Sequence, residues 1–237
     1  MKNIAIILAG GSGSRFGADM PKQFLPVAGK MIVEHTIDAF ERHPLIDEIA
    51  VVTRADYMEE MKEMVRKDGY RKVTRILQGG KERYHSSLAA IEAFTCDDDN
   101  LLIHDGVRPL VSGRIISDCI DALQSHEAVD VAVPATDTII ELNDDGSILR
   151  IPPRRLLRNA QTPQCFRRKV IAKAFELAMK DPSFFPTDDC SLVLKYLPEV
   201  AIKVVEGEPT NIKITYKEDI EMMQKVITGR KVASEKE

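Results

Sequence analysis

The sequence has no tryptophan, few aromatic residues and no long apolar run. Aromatic side chains make up 5% of the 237 residues, although 44% of the residues are hydrophobic. No apolar stretch approaches the roughly 20 residues that span a bilayer. The apolar run that begins at Ile4 is short and leads directly into glycines, which is unlike a signal peptide. We therefore expect a cytoplasmic protein that does not contact a membrane.

Cysteine is also scarce, and the sequence has no excess of positive charge. The four cysteines stand at positions 96, 119, 165 and 190 without any CxxC pair, which argues against a zinc site and a disulfide framework. The net charge is −4, whereas general nucleic-acid binding depends on clustered lysine and arginine. We expect small-molecule partners and no nucleic acid.

Short apolar strands alternate with longer amphipathic helices through the first 135 residues. Strands are predicted at 3–9, 48–53, 73–78, 100–105 and 129–135, and helices at 31–42, 57–67, 84–94 and 113–125. This alternation is typical of βαβ units. It predicts an α/β fold, a three-layer αβα sandwich around a mostly parallel, twisted sheet.

The pattern changes after residue 135. The segment 137–151 alternates apolar and polar residues on both sides of Asp-Asp-Gly, which predicts a hairpin. A helix at about 168–180, a strand at 201–207 and a last helix from about Lys217 follow. We predict a single domain over 1–230 with a projecting arm at about 137–158, and a disordered tail at 231–237.

A glycine-rich loop, LAGGSGSRFGADMPKQFL, follows the first strand. It fits neither a Rossmann fingerprint, because Phe16 occupies the third glycine position, nor a P-loop, because Gly-Lys-Ser/Thr is missing. Glycines still let backbone N–H groups approach phosphate oxygens closely. Arg15 and Lys22 could then hold a triphosphate. The alternative is an ordinary turn with two solvated bases.

Polar residues also follow later strands. Asp105 and Arg108 come directly after a buried strand, where open α/β sheets bind ligands and where a carboxylate can hold Mg²⁺. The alternative is an aspartate that caps the next helix. In NIKIT, Lys213 is predicted to lie on a strand and to point away from Ile212 and Ile214, either into a site or into solvent.

These motifs together resemble those of a known family. The glycine-rich loop is followed, in order, by GGKERYHSS, HDGVRP, DTI, QTPQ, TDDCS and NIKIT. This series resembles nucleotidyltransferases, in particular the cytidylyltransferases that act on 2-C-methyl-D-erythritol 4-phosphate or ribitol 5-phosphate. The resemblance implies transfer of CMP from CTP to a polyol phosphate with Mg²⁺, in a homodimer whose subunits exchange the arm.

The resemblance also implies roles for individual residues. It implies catalytic roles for Arg15, Lys22 and Lys213; nucleotide binding by Ala9, Gly10, Gly11, Gly13, Gly80 and Ser86; acceptor binding by Arg108, Thr138, Arg154, Thr162 and Thr187; and metal binding by Asp105.

The identity of the acceptor stays open between two polyol phosphates. The methylerythritol enzymes usually carry Thr-Val-Asp-Arg where this chain has Ile-Pro-Pro-Arg at 151–154. That departure, and Gly-Gly at 10–11, resemble the ribitol type. We predict methylerythritol phosphate as the acceptor, with ribitol phosphate as the alternative. A sugar 1-phosphate nucleotidyltransferase and a non-catalytic nucleotide-binding subunit are further alternatives.

Overall fold

The structure is a computed structural model that describes residues 1–11, 20–184 and 186–234, with side chains described up to residue 229. Its strands are β1 (Asn3–Leu8), β2 (Pro26–Val27), β3 (Lys30–Met31), β4 (Glu48–Thr53), β5 (Val73–Gln78), β6 (Asn100–Asp105), β7 (Ala128–Pro134), β8 (Glu141–Leu142), β9 (Ile148–Arg150), β10 (Arg158–Ala160), β11 (Gln164–Arg167) and β12 (Ile202–Glu206). Its helices are α1 (Ile32–Glu41), α2 (Met58–Asp68), α3 (Arg83–Ala93), α4 (Gly113–Ala122), α5 (Arg168–Ala178), α6 (Asp189–Tyr196) and α7 (Glu218–Ser234).

The central sheet has eight strands and is mostly parallel. The strand order is β10-β7-β11-β6-β1-β4-β5, and β12 also pairs with β7, parallel to it. Strand β1 lies parallel to β4 and β6, with Leu8 opposite both Val52 and Asp105. The carboxyl ends of these strands are therefore aligned at one edge of the sheet, which is where such folds bind ligands.

Both faces of the sheet are covered by helices, which makes the predicted three layers. In β1, Ala5 and Ile7 face a core formed with α1, α2 and α4, while Ile4 and Ile6 face a core formed with α3, α5 and α6. Successive strand residues point to opposite faces, so a strand covered on both sides must be apolar throughout. The continuous apolar run of β1 is explained by this double burial, and the predicted fold class is confirmed.

Two strands near the site were not predicted from the sequence. Strand β11 runs antiparallel between β6 and β7, and β10 runs antiparallel along the end of β7. Both are short and lie in the proline-interrupted segment 152–167, where the alternation of apolar and polar residues is weak. Helix α7 extends to Ser234, so the first four residues of the expected disordered tail 231–237 are helical.

The hairpin expected at 137–151 is present. Strands β8 and β9 form a separate two-stranded sheet, and Gly146 adopts φ +83° in its turn, a conformation that glycine adopts without steric cost. Apolar side chains of this arm (residues 137–158) are exposed, and Ile148 keeps 57% of its surface. Within the described ranges, no helix is both long and apolar enough to cross a bilayer.

Candidate active site

A cavity of about 610 Å³ lies at the carboxyl ends of β1, β4, β5 and β6. Each of these strands leads into a segment that borders it, because the aligned strand ends bring the following loops together. The predicted site residues that line the cavity are Ala9, Gly10, Gly11, Lys22, Gly80, Ser86, Asp105 and Lys213. The predicted Gly13 and Arg15 lie outside the described residues.

Asp105, the last residue of β6, is surrounded by three cations. Its carboxylate accepts hydrogen bonds from Lys213 Nζ at 2.8 Å and from Arg83 Nε at 3.4 Å, and Arg108 Nε lies 3.7 Å away. We call these four residues the Asp105 cluster. Asp105 keeps only 7% of its surface, so these charges interact in a poorly solvated environment. The cluster carries a formal excess of positive charge, which suits it to bind an anion.

The cluster keeps Asp105 ionised. Burial by itself would raise the pKa of Asp105, but Arg83, Lys213 and Arg108 outweigh burial and hold this pKa well below its usual range. The same balance acts on Arg83: burial lowers its pKa, and Asp189 and Asp105 raise it above the ordinary value. Asp105 is therefore an ionised carboxylate throughout the physiological pH range.

A buried hydrogen-bond chain supports Asp105 from behind. The Asp105 N–H donates to Thr162 Oγ1 at 3.2 Å, and Thr162 Oγ1 lies 2.9 Å from His104 Nδ1. His104 Nε2 faces the Arg108 carbonyl at 3.0 Å, so Nε2 carries the proton and Nδ1 accepts from the Thr162 hydroxyl. Burial lowers the pKa of His104 to about 4, which keeps the imidazole neutral. Thr162 thus contacts Asp105, and only 5% of its surface is exposed.

Lys213 reaches the cavity from a loop, and the prediction that it lies on a strand was wrong. Residues 211–215 form no strand, and the Ile214 N–H donates to the Val107 carbonyl at 2.9 Å. Ile214 is fully buried in a small apolar cluster beneath the site, together with Val107 and Met223. Burial of Ile214 directs the neighbouring Lys213 to the opposite side, towards Asp105.

The end of the glycine-rich loop is held by a buried glutamine. Gln23 Nε2 donates to the carbonyl oxygens of Ala9 at 2.7 Å and Gly11 at 2.9 Å. Its neighbour Lys22 begins a short 3₁₀ turn after Pro21 and donates from Nζ to the Ile214 carbonyl at 2.6 Å. The segment 211–215 therefore holds the Lys22 ammonium through the Ile214 carbonyl and also carries Lys213, so both ammonium groups lie on the same side of the cavity.

Two glycines after β5 allow close packing against α3. A Cβ atom on Gly79 would lie 2.6 Å from Ser86 Oγ, and one on Gly80 would lie 2.4 Å from His85 Cβ. A Cβ atom at Gly79 would therefore require the Ser86 hydroxyl to move, and one at Gly80 would require His85 itself to shift. Ser86 is buried in α3 and borders the cavity with Gly80, as expected for a pair that contacts a nucleotide.

The predicted acceptor residues fall into two groups. Arg108 and Thr162 lie beside Asp105, and the exposed Thr187 lies just before α6. Thr138 and Arg154 lie in the arm, where Arg154 Nη2 donates to Thr138 Oγ1 at 3.2 Å. Neither arm residue lines the cavity of its own chain as far as the structure describes it.

Sequence reasoning assigned no role to Arg83 or Gln23. Arg83 stands inside the GGKERYHSS motif, three residues before Ser86, and its position in that motif was the available signal. Gln23 follows Lys22, and a polar residue between Lys22 and Phe24 gives no indication that its amide is buried. Both contacts depend on long-range packing.

The fold and the site define a class of protein: an α/β nucleotidyltransferase, with a glycine-lined cavity and a cluster of cations at the strand ends. The chain matches the family model described as IspD, 2-C-methyl-D-erythritol 4-phosphate cytidylyltransferase, over residues 3–229. The chain belongs to this family, whose members are CTP-dependent cytidylyltransferases.

Two similar proteins illustrate the match. The 2-C-methyl-D-erythritol 4-phosphate cytidylyltransferase of Thermobifida fusca (strain YX) is 44% identical over 229 residues, which are 94% of this chain and 92% of that protein. The crystal structure of 4-diphosphocytidyl-2C-methyl-D-erythritol synthase from Anaerococcus prevotii superimposes with a TM-score of 0.85 at 34% identity, covering 96% and 99% of the two chains.

A relative whose name gives a different activity is equally similar. The bifunctional ribulose 5-phosphate reductase/CDP-ribitol pyrophosphorylase Bcs1 of Haemophilus influenzae is 45% identical over 232 residues. These residues are 97% of this chain and 49% of Bcs1, so the chain spans about half of that protein.

Proposed function

We propose that this cytidylyltransferase transfers CMP from CTP to 2-C-methyl-D-erythritol 4-phosphate. The observation that supports the reaction best is the Asp105 cluster, in which one buried carboxylate and three cations meet beside a glycine-lined cavity. The family match and the Thermobifida fusca relative favour this acceptor.

In the proposed reaction, a phosphate oxygen of the acceptor attacks the α-phosphorus of CTP in line. A new phosphorus–oxygen bond forms, the bond between the α-phosphorus and its bridging oxygen breaks, and pyrophosphate leaves with that oxygen. No side chain forms a covalent bond, so catalysis depends on positioning and charge stabilisation. Lys22 and Lys213 would stabilise the charge that develops on the phosphates, together with Arg15.

The donor set fits Mg²⁺ held mainly by the substrate. No group of three or more His, Cys, Asp or Glu side chains that could hold a metal occurs in the part of the chain that the structure describes, and Asp105 is an ionised carboxylate beside the cavity. Mg²⁺ is usually bound by one or two carboxylates together with substrate phosphates. Bound there, it would neutralise phosphate charge; Asp105 would hold it, and Lys213 would hold the phosphates.

The arm supports a further proposal, that two copies of the chain form a dimer. Thr138 and Arg154 are hydrogen-bonded to each other and lie outside the cavity of their own chain. A guanidinium and a hydroxyl group can both donate hydrogen bonds to a phosphate. The arm also exposes several apolar side chains, which a second subunit would cover. We propose that this pair serves the site of the partner subunit.

The dimer can be tested by light scattering and by mixing variants. We expect a mass of about twice 26.5 kDa, and loss of the dimer in Ile148→Glu. The control is Leu194→Glu on α6, because Leu194 is exposed like Ile148 but lies outside the arm; this variant should remain a dimer. Mixing inactive Arg154→Ala and Lys22→Ala chains should restore activity, since one site in each mixed dimer is complete. A monomeric wild type, or no recovery on mixing, contradicts the proposal.

Ribitol 5-phosphate is the second candidate acceptor. The similarity to Bcs1, whose name includes a CDP-ribitol pyrophosphorylase, extends over nearly the whole chain. Pro152 and Pro153 also precede Arg154 in the arm, where the methylerythritol enzymes usually carry Val-Asp. The second observation concerns the arm, which we propose to bind the acceptor.

A pyrophosphate-release assay decides between the acceptors. CTP and Mg²⁺ are combined with each polyol phosphate in turn, and kcat/KM is compared. We expect the methylerythritol substrate to be preferred, and a preference for ribitol 5-phosphate would select the second candidate. Substituting ATP, GTP or UTP, with sugar 1-phosphates as acceptors, tests the remaining nucleotidyltransferase activities. Absence of turnover with every pair would indicate a non-catalytic subunit.

A further inference from the structure

Arg83 lies between two carboxylates that belong to different elements. It is the first residue of α3, and its Nη1 donates to Asp189 Oδ2 at 2.6 Å while its Nε faces Asp105 Oδ1 at 3.4 Å. The short contact is with Asp189 and the longer one with Asp105. One guanidinium thus spans the gap between the first turn of α6 and the end of β6.

Asp189 is the most buried member of this arrangement. It begins α6, keeps 1% of its surface, and its N–H donates to Gln164 Oε1 at 3.0 Å. Its other oxygen, Oδ1, is buried without a hydrogen-bond partner among the described residues. A buried carboxylate of this kind strongly disfavours loss of its cation, because the charge would be left unpaired in a poorly solvated environment. Asp189 therefore fixes Arg83.

The consequence is that Arg83 cannot easily turn to a phosphate in the cavity it lines. To do so it would have to leave Asp189 unpaired. It can act on the site by holding the Oδ1 side of Asp105, opposite Oδ2, which faces Lys213 and Arg108. Removing Arg83 would let the Asp105 carboxylate reorient towards these two cations.

We propose that Arg83 and Asp189 form a positioning pair: Asp189 anchors the Arg83 guanidinium, and Arg83 orients Asp105 for the divalent cation that accompanies CTP. The contact between Arg83 and Asp189 also connects the start of α3, on the nucleotide side of the site, with the start of α6, just after Thr187. This inference rests on the proposed role of Asp105 as the metal ligand.

The test separates positioning from support of the fold. Arg83→Gln leaves Asp189 as an unpaired buried anion, and we expect a lower melting temperature. The double variant Arg83→Gln/Asp189→Asn replaces the ion pair by two amides of similar shape, which removes the buried charge, so its melting temperature should recover. If Arg83 positions Asp105, kcat should not recover with it.

The magnitudes follow those of residues that orient metal ligands. Arg83→Gln and the double variant should each lower kcat about 10- to 100-fold, with little change in KM for the acceptor. Both should also weaken Mn²⁺ binding to the enzyme–CTP complex by a similar factor, as measured by electron paramagnetic resonance. Arg83→Lys should rescue part of kcat. In the control Arg168→Gln, an ion pair with the exposed Asp97 at 2.7 Å is removed outside the cavity, and both kcat and Mn²⁺ binding should be unchanged.

Three results would overturn the proposal. Recovery of kcat in the double variant would mean that Arg83 only supports the fold. A raised KM for CTP with unchanged kcat in Arg83→Gln would mean that it binds phosphate directly. If Arg83→Gln binds Mn²⁺ with wild-type affinity, Arg83 does not orient Asp105 for the metal. The Mn²⁺ titration needs no acceptor, so it still tests the pair if neither polyol phosphate is a substrate.

Discussion

Replacing Asp105 by asparagine changes the charge of the site while keeping its shape. The amide has nearly the same size, and the backbone hydrogen bond from Asp105 to Thr162 does not involve the side chain of Asp105. The substitution removes the anion that faces Lys213 at 2.8 Å, Arg83 at 3.4 Å and Arg108 at 3.7 Å. It leaves three cations close together, with Asp189 still paired to one of them.

Two effects of opposite sign follow. Breaking a buried ion pair by removing one partner usually destabilises a protein by about 3–5 kcal/mol, and we expect the lower end because asparagine still accepts a hydrogen bond. Binding of metal-free CTP should instead become tighter. A unit charge about 8 Å away contributes about 1 kcal/mol at an effective dielectric constant of about 40, which is roughly fivefold in affinity.

The assay is calorimetric titration of CTP in EDTA and again in Mg²⁺, together with urea unfolding and pyrophosphate release. In Asp105→Asn we expect tighter metal-free binding, little further gain from Mg²⁺, and turnover lowered at least about 10²-fold. The matched control is Asp38→Asn. Asp38 lies on α1, away from the cavity, keeps 9% of its surface, and accepts hydrogen bonds from Lys30, Arg42 and Tyr70.

The control should lose stability without changing CTP binding. One of its two cations, Arg42, is much more exposed than any of the cations around Asp105, so we expect a loss of about 1–2 kcal/mol. Weaker metal-free CTP binding in Asp105→Asn than in wild type, or turnover equal to wild type, would refute the account of the cluster given above.

Other predictions concern single residues. Lys22→Ala should lower turnover at least about 10²-fold with the fold intact, whereas Lys30→Ala should not; near-normal turnover of Lys22→Ala would contradict its role. Gly80→Ala should raise KM for CTP about tenfold or more, because the new Cβ would displace the backbone near His85; an unchanged KM would show that the turn yields freely. Burial, with a smaller effect of Asp188, raises the pKa of Asp130 to about 6, above its unfolded value near 3.8. The ionised carboxylate therefore lowers the free energy of unfolding above about pH 6, and this loss disappears below about pH 4, where Asp130 is protonated in both states. Asp130→Asn should therefore raise the free energy of unfolding by about 1–2 kcal/mol at pH 7.5 and hardly change it at pH 4, measured by urea unfolding; an equal effect at both pH values would contradict this.

The sequence by itself determined the parallel strands of the sheet and the strand ends at which the candidate site lies. The apolar runs of β1 and β6 and the helical spacing of α1 to α4 follow from burial of one or both faces, and burial leaves a periodic pattern within a few residues. The glycines after β1 and β5 and the polar residues after β6 then had to meet, because parallel strands align their carboxyl ends.

Only the tertiary structure decided which charges meet. Asp105 is paired with residues 22 and 108 positions away, and Arg83 with a residue 106 positions away. The antiparallel β11, the buried amide of Gln23 and the loop that carries Lys213 likewise depend on contacts between distant segments. Such contacts leave no periodic trace in the chain, since a buried ion pair needs only one suitable residue at each end. Local periodicity therefore predicted the scaffold and the place of the site, while long-range packing set the charges within it.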